Sequence, residues 1–140
     1  VIRRSAISFF GSVKNDKNYN RLKELASYGG TTWDARPEAV SQLSKYAKEK
    51  RETIDIFVNL LEDRSRDVRR RAIYALASHG DKTHLGHLDE VMFKDPALGR
   101  DIRYAKKRIL NPSKKPTKNS VEEKLEEANR KLDEIKRLLD

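Results

Sequence analysis

Cysteine is absent from this 140-residue chain, methionine and tryptophan occur once each, and proline only four times. Without cysteine there is no disulfide framework, no thiolate nucleophile and no Cys-based zinc site. Apolar runs extend over only a few residues, too short for a membrane-spanning helix. No charged segment leads into an apolar stretch of the kind a secretory leader carries. Sustained period-2 alternation is missing too, which excludes a sheet protein and leaves an all-α chain. These absences set the expectation of a cytoplasmic protein with no membrane partner. The chain opens on Val1 and its one methionine is Met92. That pairing sets a second expectation, of a piece processed or excised from a longer protein.

Charge, by contrast, is abundant: 31 Lys+Arg stand against 22 Asp+Glu, a formal net charge of +9. Residues 1–119 hold 26 basic and 15 acidic side chains, and residues 120–140 hold 5 and 7. A basic body attracts acidic proteins or nucleic acid, and equally suits a domain that docks on an acidic neighbour in its own polypeptide.

An internal repeat organises the first 110 residues. Arg3, Arg36 and Arg69 recur at a spacing of 33, followed in step by Ala6, Ala39 and Ala72 and by Ile7, Val40 and Ile73. Phe10, Leu43 and Leu76 continue the register, and a weaker fourth copy starts one residue late at Ile102-Arg103. Each unit reads as two helices. The first carries Ala6, Ile7, Phe9, Phe10 and Val13, then Tyr19, Leu22, Leu25 and Ala26 after a polar turn. In the second, Pro37 occupies the first turn, Ala39, Val40, Leu43 and Ala47 follow, and a break falls near Lys50-Arg51 before Ile54, Phe57, Val58 and Leu61. The third places Val68, Ala72, Ala75 and Leu76 on one face and Leu85, Leu88, Val91 and Met92 on the next. Between them His79-Gly80-Asp81 predicts a stop, with Gly80 in a left-handed position. Ser27 to Thr32 reads as a loop, with Trp33 beside it as a packing anchor or a base platform.

Residues 111–119 read as a linker and 120–140 as an amphipathic terminal helix, capped by Ser120 with Glu123. Val121, Leu125, Ala128, Leu132, Ile135 and Leu139 form a heptad seam. The seam can pair with a second copy, lie back on the repeats, or dock on another partner.

The run Leu61-Glu62-Asp63-Arg64-Ser65-Arg66-Asp67-Val68-Arg69-Arg70-Arg71-Ala72-Ile73-Tyr74-Ala75-Leu76, then Gly80-Asp81, resembles the leading half of a HEAT-like repeat. The unit is shorter than the roughly 40–47 residues of long HEAT units, and ankyrin and tetratricopeptide signatures are absent. The resemblance implies an α-solenoid (an alpha-alpha superhelix) of short helix pairs over 1–110. Residues 1–110 as a whole, with Leu-Ala-Ser-Tyr-Gly at 25–29, Arg-Pro-Glu-Ala-Val at 36–40 and Leu-Leu-Glu-Asp at 60–63, resemble the C-terminal helical domain of M1-type zinc aminopeptidases. That likeness implies a non-catalytic domain packed on a preceding catalytic domain and restricting substrate access. It also implies that zinc belongs only to that other domain, because the His-Glu-x-x-His and Gly-x-Met-Glu-Asn segments are absent from this chain.

Candidate sites are few. His84, His87 and Glu90 share a helical face at i, i+3, i+6, a weaker pattern than the i, i+4 pair of metalloproteases, and a solvated helix face is the plainer reading. No nucleophile elbow or phosphate loop is present, so neither catalysis nor a cofactor is expected of this chain alone. Arg3, Arg36, Arg69 and Arg103 can line up as a carboxylate- or phosphate-binding column, or can pair with acids such as Asp34, Asp67 and Asp101 across repeat junctions. Arg64, Arg66, Arg69, Arg70 and Arg71 form the densest basic cluster, and Arg103, Lys106, Lys107 and Arg108 a second. These two clusters are the expected patches for an acidic protein, or, as the rival reading, for nucleic acid.

Overall fold

The computed structural model describes residues 3–27, 35–112 and 118–139, and every regular element among them is helical. Trp33, Asp34 and most of the Gly-Thr loop lie outside the described residues. Two compact units are present, Val1–Leu110 and Asn111–Asp140. The first contains α1 (Arg4–Ser12), α2 (Asp16–Ser27), α3 (Arg36–Leu43), α4 (Thr53–Leu60), α5 (Arg66–His79), α6 (Leu85–Lys94) and α7 (Gly99–Leu110). The second contains α8 (Lys118–Leu139).

Helix neighbours follow the repeat. The leading helices form a row, α1 against α3, α3 against α5 and α5 against α7, while α2 packs on α3, α4 on α5 and α6 on α7. One apolar cluster runs through all of them, with Ile7, Leu22, Val40, Leu43, Phe57, Val68, Leu76, Leu88 and Ile102 fully buried. Spacing explains α5: Val68, Ala72, Ala75 and Leu76 fall at i, i+4, i+7 and i+8, one helical face, and all are buried. Ser65 caps the same helix, its side-chain oxygen accepting from Val68 N at 3.5 Å. Pro37 falls in the first turn of α3, where a missing N–H leaves nothing unsatisfied.

The first repeat departs from its predicted face. Ile7 is buried, but Phe9 is 53% and Val13 44% exposed, so two of the apolar residues read as core point away from it. Gly11 takes part of their place. A methyl group on it would collide with the Gln42 side chain, so glycine lets α1 approach α3 at this point. The equivalent positions 33 residues on, Ser44 and Ala77, are also small.

Three further boundaries differ from expectation. The middle leading helix ends as an α-helix at Leu43 and tightens into a 3-10 turn over Ser44–Tyr46. The buried Tyr46 fixes that turn by donating its hydroxyl to Phe10 O at 2.5 Å and packing on Tyr19 at 5.2 Å between ring centroids. Gly80 has φ −79° and ψ 175°, extended rather than left-handed. Its role is close approach, since a Cβ there would sit 2.6 Å from Leu76 O. Finally, α8 begins at Lys118, which puts Ser120 inside the first turn and not at the cap.

The two glycines near α6 therefore respond in opposite directions. Gly80→Ala is predicted to destabilise by roughly 1–3 kcal/mol, because a backbone carbonyl must move to admit the methyl. Gly86→Ala, inside α6 with nothing within 4 Å of the added carbon, is predicted to stabilise by about 0.5–1 kcal/mol. Urea denaturation of both variants checks the signs.

Candidate interaction surface

Arginine at the repeat junctions is held by two aspartates that short-range reading of the sequence did not single out. Arg36, buried near the start of α3, donates from Nη1 to both carboxylate oxygens of Asp63, at 3.0 and 2.9 Å. Asp63 sits in the turn before α5, where its Oδ1 also accepts from Ser65 N at 2.8 Å. Its main-chain carbonyl accepts from Arg69 Nη1 at 2.7 Å. Arg69 Nη2 continues to Asp95 Oδ2 at 2.8 Å, and Arg66 completes the set from Nε and Nη2 at 2.8 and 3.2 Å. Asp95 stands in the turn before α7, the position Asp63 holds before α5. The result is a continuous chain of charge-assisted bonds from α3 to the entry of α7.

Arginines beside Asp95 hold its carboxyl at about 2, well below the usual carboxylate range, Arg66 first and Arg69 second. Asp67 and Asp101, the partners expected for the column, serve others. Arg70 reaches Asp67 Oδ1 at 3.3 Å and Asp101 Oδ2 at 3.4 Å. Tyr74 donates to Asp101 Oδ1 at 2.6 Å, and that bond is the main cause of its raised hydroxyl pKa. Asp63 and Asp95 were legible only as a pair of acids 32 residues apart, each just ahead of a leading helix.

The two basic clusters are thus not equivalent side chains in a single patch. Arg66 and Arg69 belong to the junction, whereas Arg70 and Arg71 line a groove of about 620 Å³ across the exposed sides of α1, α3 and α5. Arg4, Ser41, Asp67 and Tyr74 share this groove, and Arg71 Nη1 donates to Ser41 Oγ at 2.9 Å. Arg64 is exposed, one residue ahead of the Ser65 cap. In the second cluster Lys106 pairs with Asp89 at 2.6 Å, and Arg108 donates to Tyr104 OH at 3.0 Å. Arg103 and Lys107 are exposed on α7. Of the arginine column only Arg36 and Arg69 are drawn into the junction chain, and Arg3 and Arg103 are exposed.

The histidine face separates in the same way. His84 Nδ1 accepts from Asp81 N at 2.9 Å while Asp81 Oδ1 accepts from Thr83 N at 2.8 Å, a capping box that starts the turn into α6. His87 and Glu90 are exposed in a hollow beside Glu62 and Lys94. Among the described residues no cluster of three metal-ligating side chains is assembled.

No known family model, no curated protein and no solved structure matches this chain.

Two outcomes are predicted from the junction. Asp63→Ala removes both carboxylate contacts of the buried Arg36 guanidinium and the acceptor of Ser65 N, and is predicted to cost about 3 kcal/mol in denaturant unfolding. The Asp95 carboxyl contributes stability that is complete above its ordinary value of 3.8 and is lost as pH falls through about 2. Asp95→Asn is therefore predicted to flatten the loss of stability over that interval, as read by unfolding measured at successive pH values.

Proposed function

We propose that this chain is a non-catalytic helical-repeat domain, an α-solenoid of short HEAT-like pairs, that works by docking and recognition. In its specific form, it is the C-terminal domain of an M1-type zinc aminopeptidase, packed on the catalytic domain and limiting substrate access. The observation that carries the docking reading is the outward apolar surface at the end of α1, where Phe9 and the following Val13 are exposed while Ile7 faces the core. Half-exposed aromatic and branched residues side by side form a surface that a packed partner element would cover. The junction chain from Arg36 to Asp95 supports the repeat reading, since equivalent groups tie successive leading helices.

An antibody against the chain, applied to source-cell lysate, tests the specific form. The predicted result is a species several times heavier than 16.2 kDa that removes amino-terminal residues from short peptides and loses this activity on chelation. A species near 16.2 kDa overturns the aminopeptidase reading. A second reading, an independent scaffold for an acidic protein or nucleic acid, is favoured by the groove carrying Arg4, Arg70 and Arg71. Binding to random duplex DNA that collapses between low and moderate salt is its signature.

A further inference from the structure

We infer that α8 pairs with α8 of a second copy of this chain as an antiparallel two-stranded coiled coil. Leu125 then packs against the partner's Ile135, and Ala128 against the partner's Leu132. The starting observation is an apolar stripe left in water. Every residue from 122 to 139 is exposed, including Leu125 at 61% and Leu132 and Ile135 at 54% each. These three and Ala128 follow the 3,4 spacing of a coiled-coil seam, with Leu125, Leu132 and Leu139 at a and Ala128 and Ile135 at d.

Charge on the flanks of the seam selects the occupant. The face opposite the stripe carries Glu123, Glu126, Glu127, Asp133 and Glu134 against Arg130 and Arg137, a net negative face that disfavours an anionic membrane surface. In an in-register parallel pair the flanking contacts are Lys124 with Asn129 and Lys131 with Lys136, so no opposite charges meet and two lysine pairs repel. Reversing one helix so that every a faces a d changes the account. Glu122 then meets the partner's Lys136 twice, and Asn129 meets its own copy. One like-charge contact remains, Lys131 with its symmetry mate, and Lys131 Nζ already leans to Glu127 Oε1 at 3.6 Å. The antiparallel pair thus gains two ion pairs and sheds one repulsion. Both helices, of 22 residues each, overlap along their full apolar length, so the whole stripe is covered.

Sedimentation of the whole 140-residue chain, at protein concentrations up to roughly 0.5 mM, tests the pairing. A dimer of about twice the 16.2 kDa monomer is predicted, with Leu132→Asp restoring the monomer while the helices of the repeat unit keep their circular dichroism. Orientation is read from charge. Lys136→Glu is predicted to raise the dimer dissociation constant roughly tenfold, and Glu122→Lys with Lys136→Glu to return it close to the starting value. A monomer over the whole range overturns the pairing. Tighter association of Lys136→Glu, the response of a parallel pair, overturns the orientation. Neither result depends on whether a catalytic domain precedes the repeats, so the aminopeptidase reading stands or falls separately.

Discussion

The buried contact between Arg36 and Asp63 sets the geometry of the repeat unit. Both side chains are largely withdrawn from water, at 10% and 14% exposure, so the bidentate pairing offsets much of the cost of burying the two charges. Asp63 simultaneously holds the turn into α5 through Ser65 N and receives Arg69 on its carbonyl. A residue in one turn therefore fixes the end of one unit, the start of the next and the position of the arginine that ties in Asp95. Rigid, directional bonds of this kind set register between helices, a task that non-directional apolar burial performs poorly.

A high positive charge is easily taken as a binding surface, and here part of it is committed to ion pairs within the chain. Arg36, Arg66 and Arg69 are committed to Asp63 and Asp95. Lys14, Lys50 and Lys106 reach Glu49, Asp16 and Asp89 across element boundaries. Those surface pairs contribute little individually. They do reduce the field presented to a partner, and the groove through Arg70 and Arg71 retains acids of its own in Glu38 and Asp67.

Helix faces were legible because burial follows helical spacing: Val68, Ala72, Ala75 and Leu76 in α5, and Leu88 and Val91 in α6, are where periodicity places them. The Pro37 start of α3 was legible for a local reason, the fixed φ of its ring. What stayed hidden depends on contacts distant in sequence. Asp63 lies 27 residues from Arg36, and Asp95 lies 26 from Arg69 while the nearer Asp67 pairs with Arg70. The exposure of Phe9 and Val13 could not be read from α1 itself, since its pattern matches that of buried helices. The Tyr46 turn was equally closed to inspection, because its hydroxyl is held by a carbonyl 36 residues away.

A double-mutant cycle across Arg36 and Asp63 tests the structural role of the arginine column most directly. Arg36→Met, Asp63→Ala and the pair together would be compared by denaturant unfolding at neutral pH. If the contact sets the junction, the coupling energy is about 2–3 kcal/mol and the double variant is scarcely worse than either single one. Additive losses, with coupling below about 0.5 kcal/mol, would contradict the structural role of the Arg36–Asp63 contact.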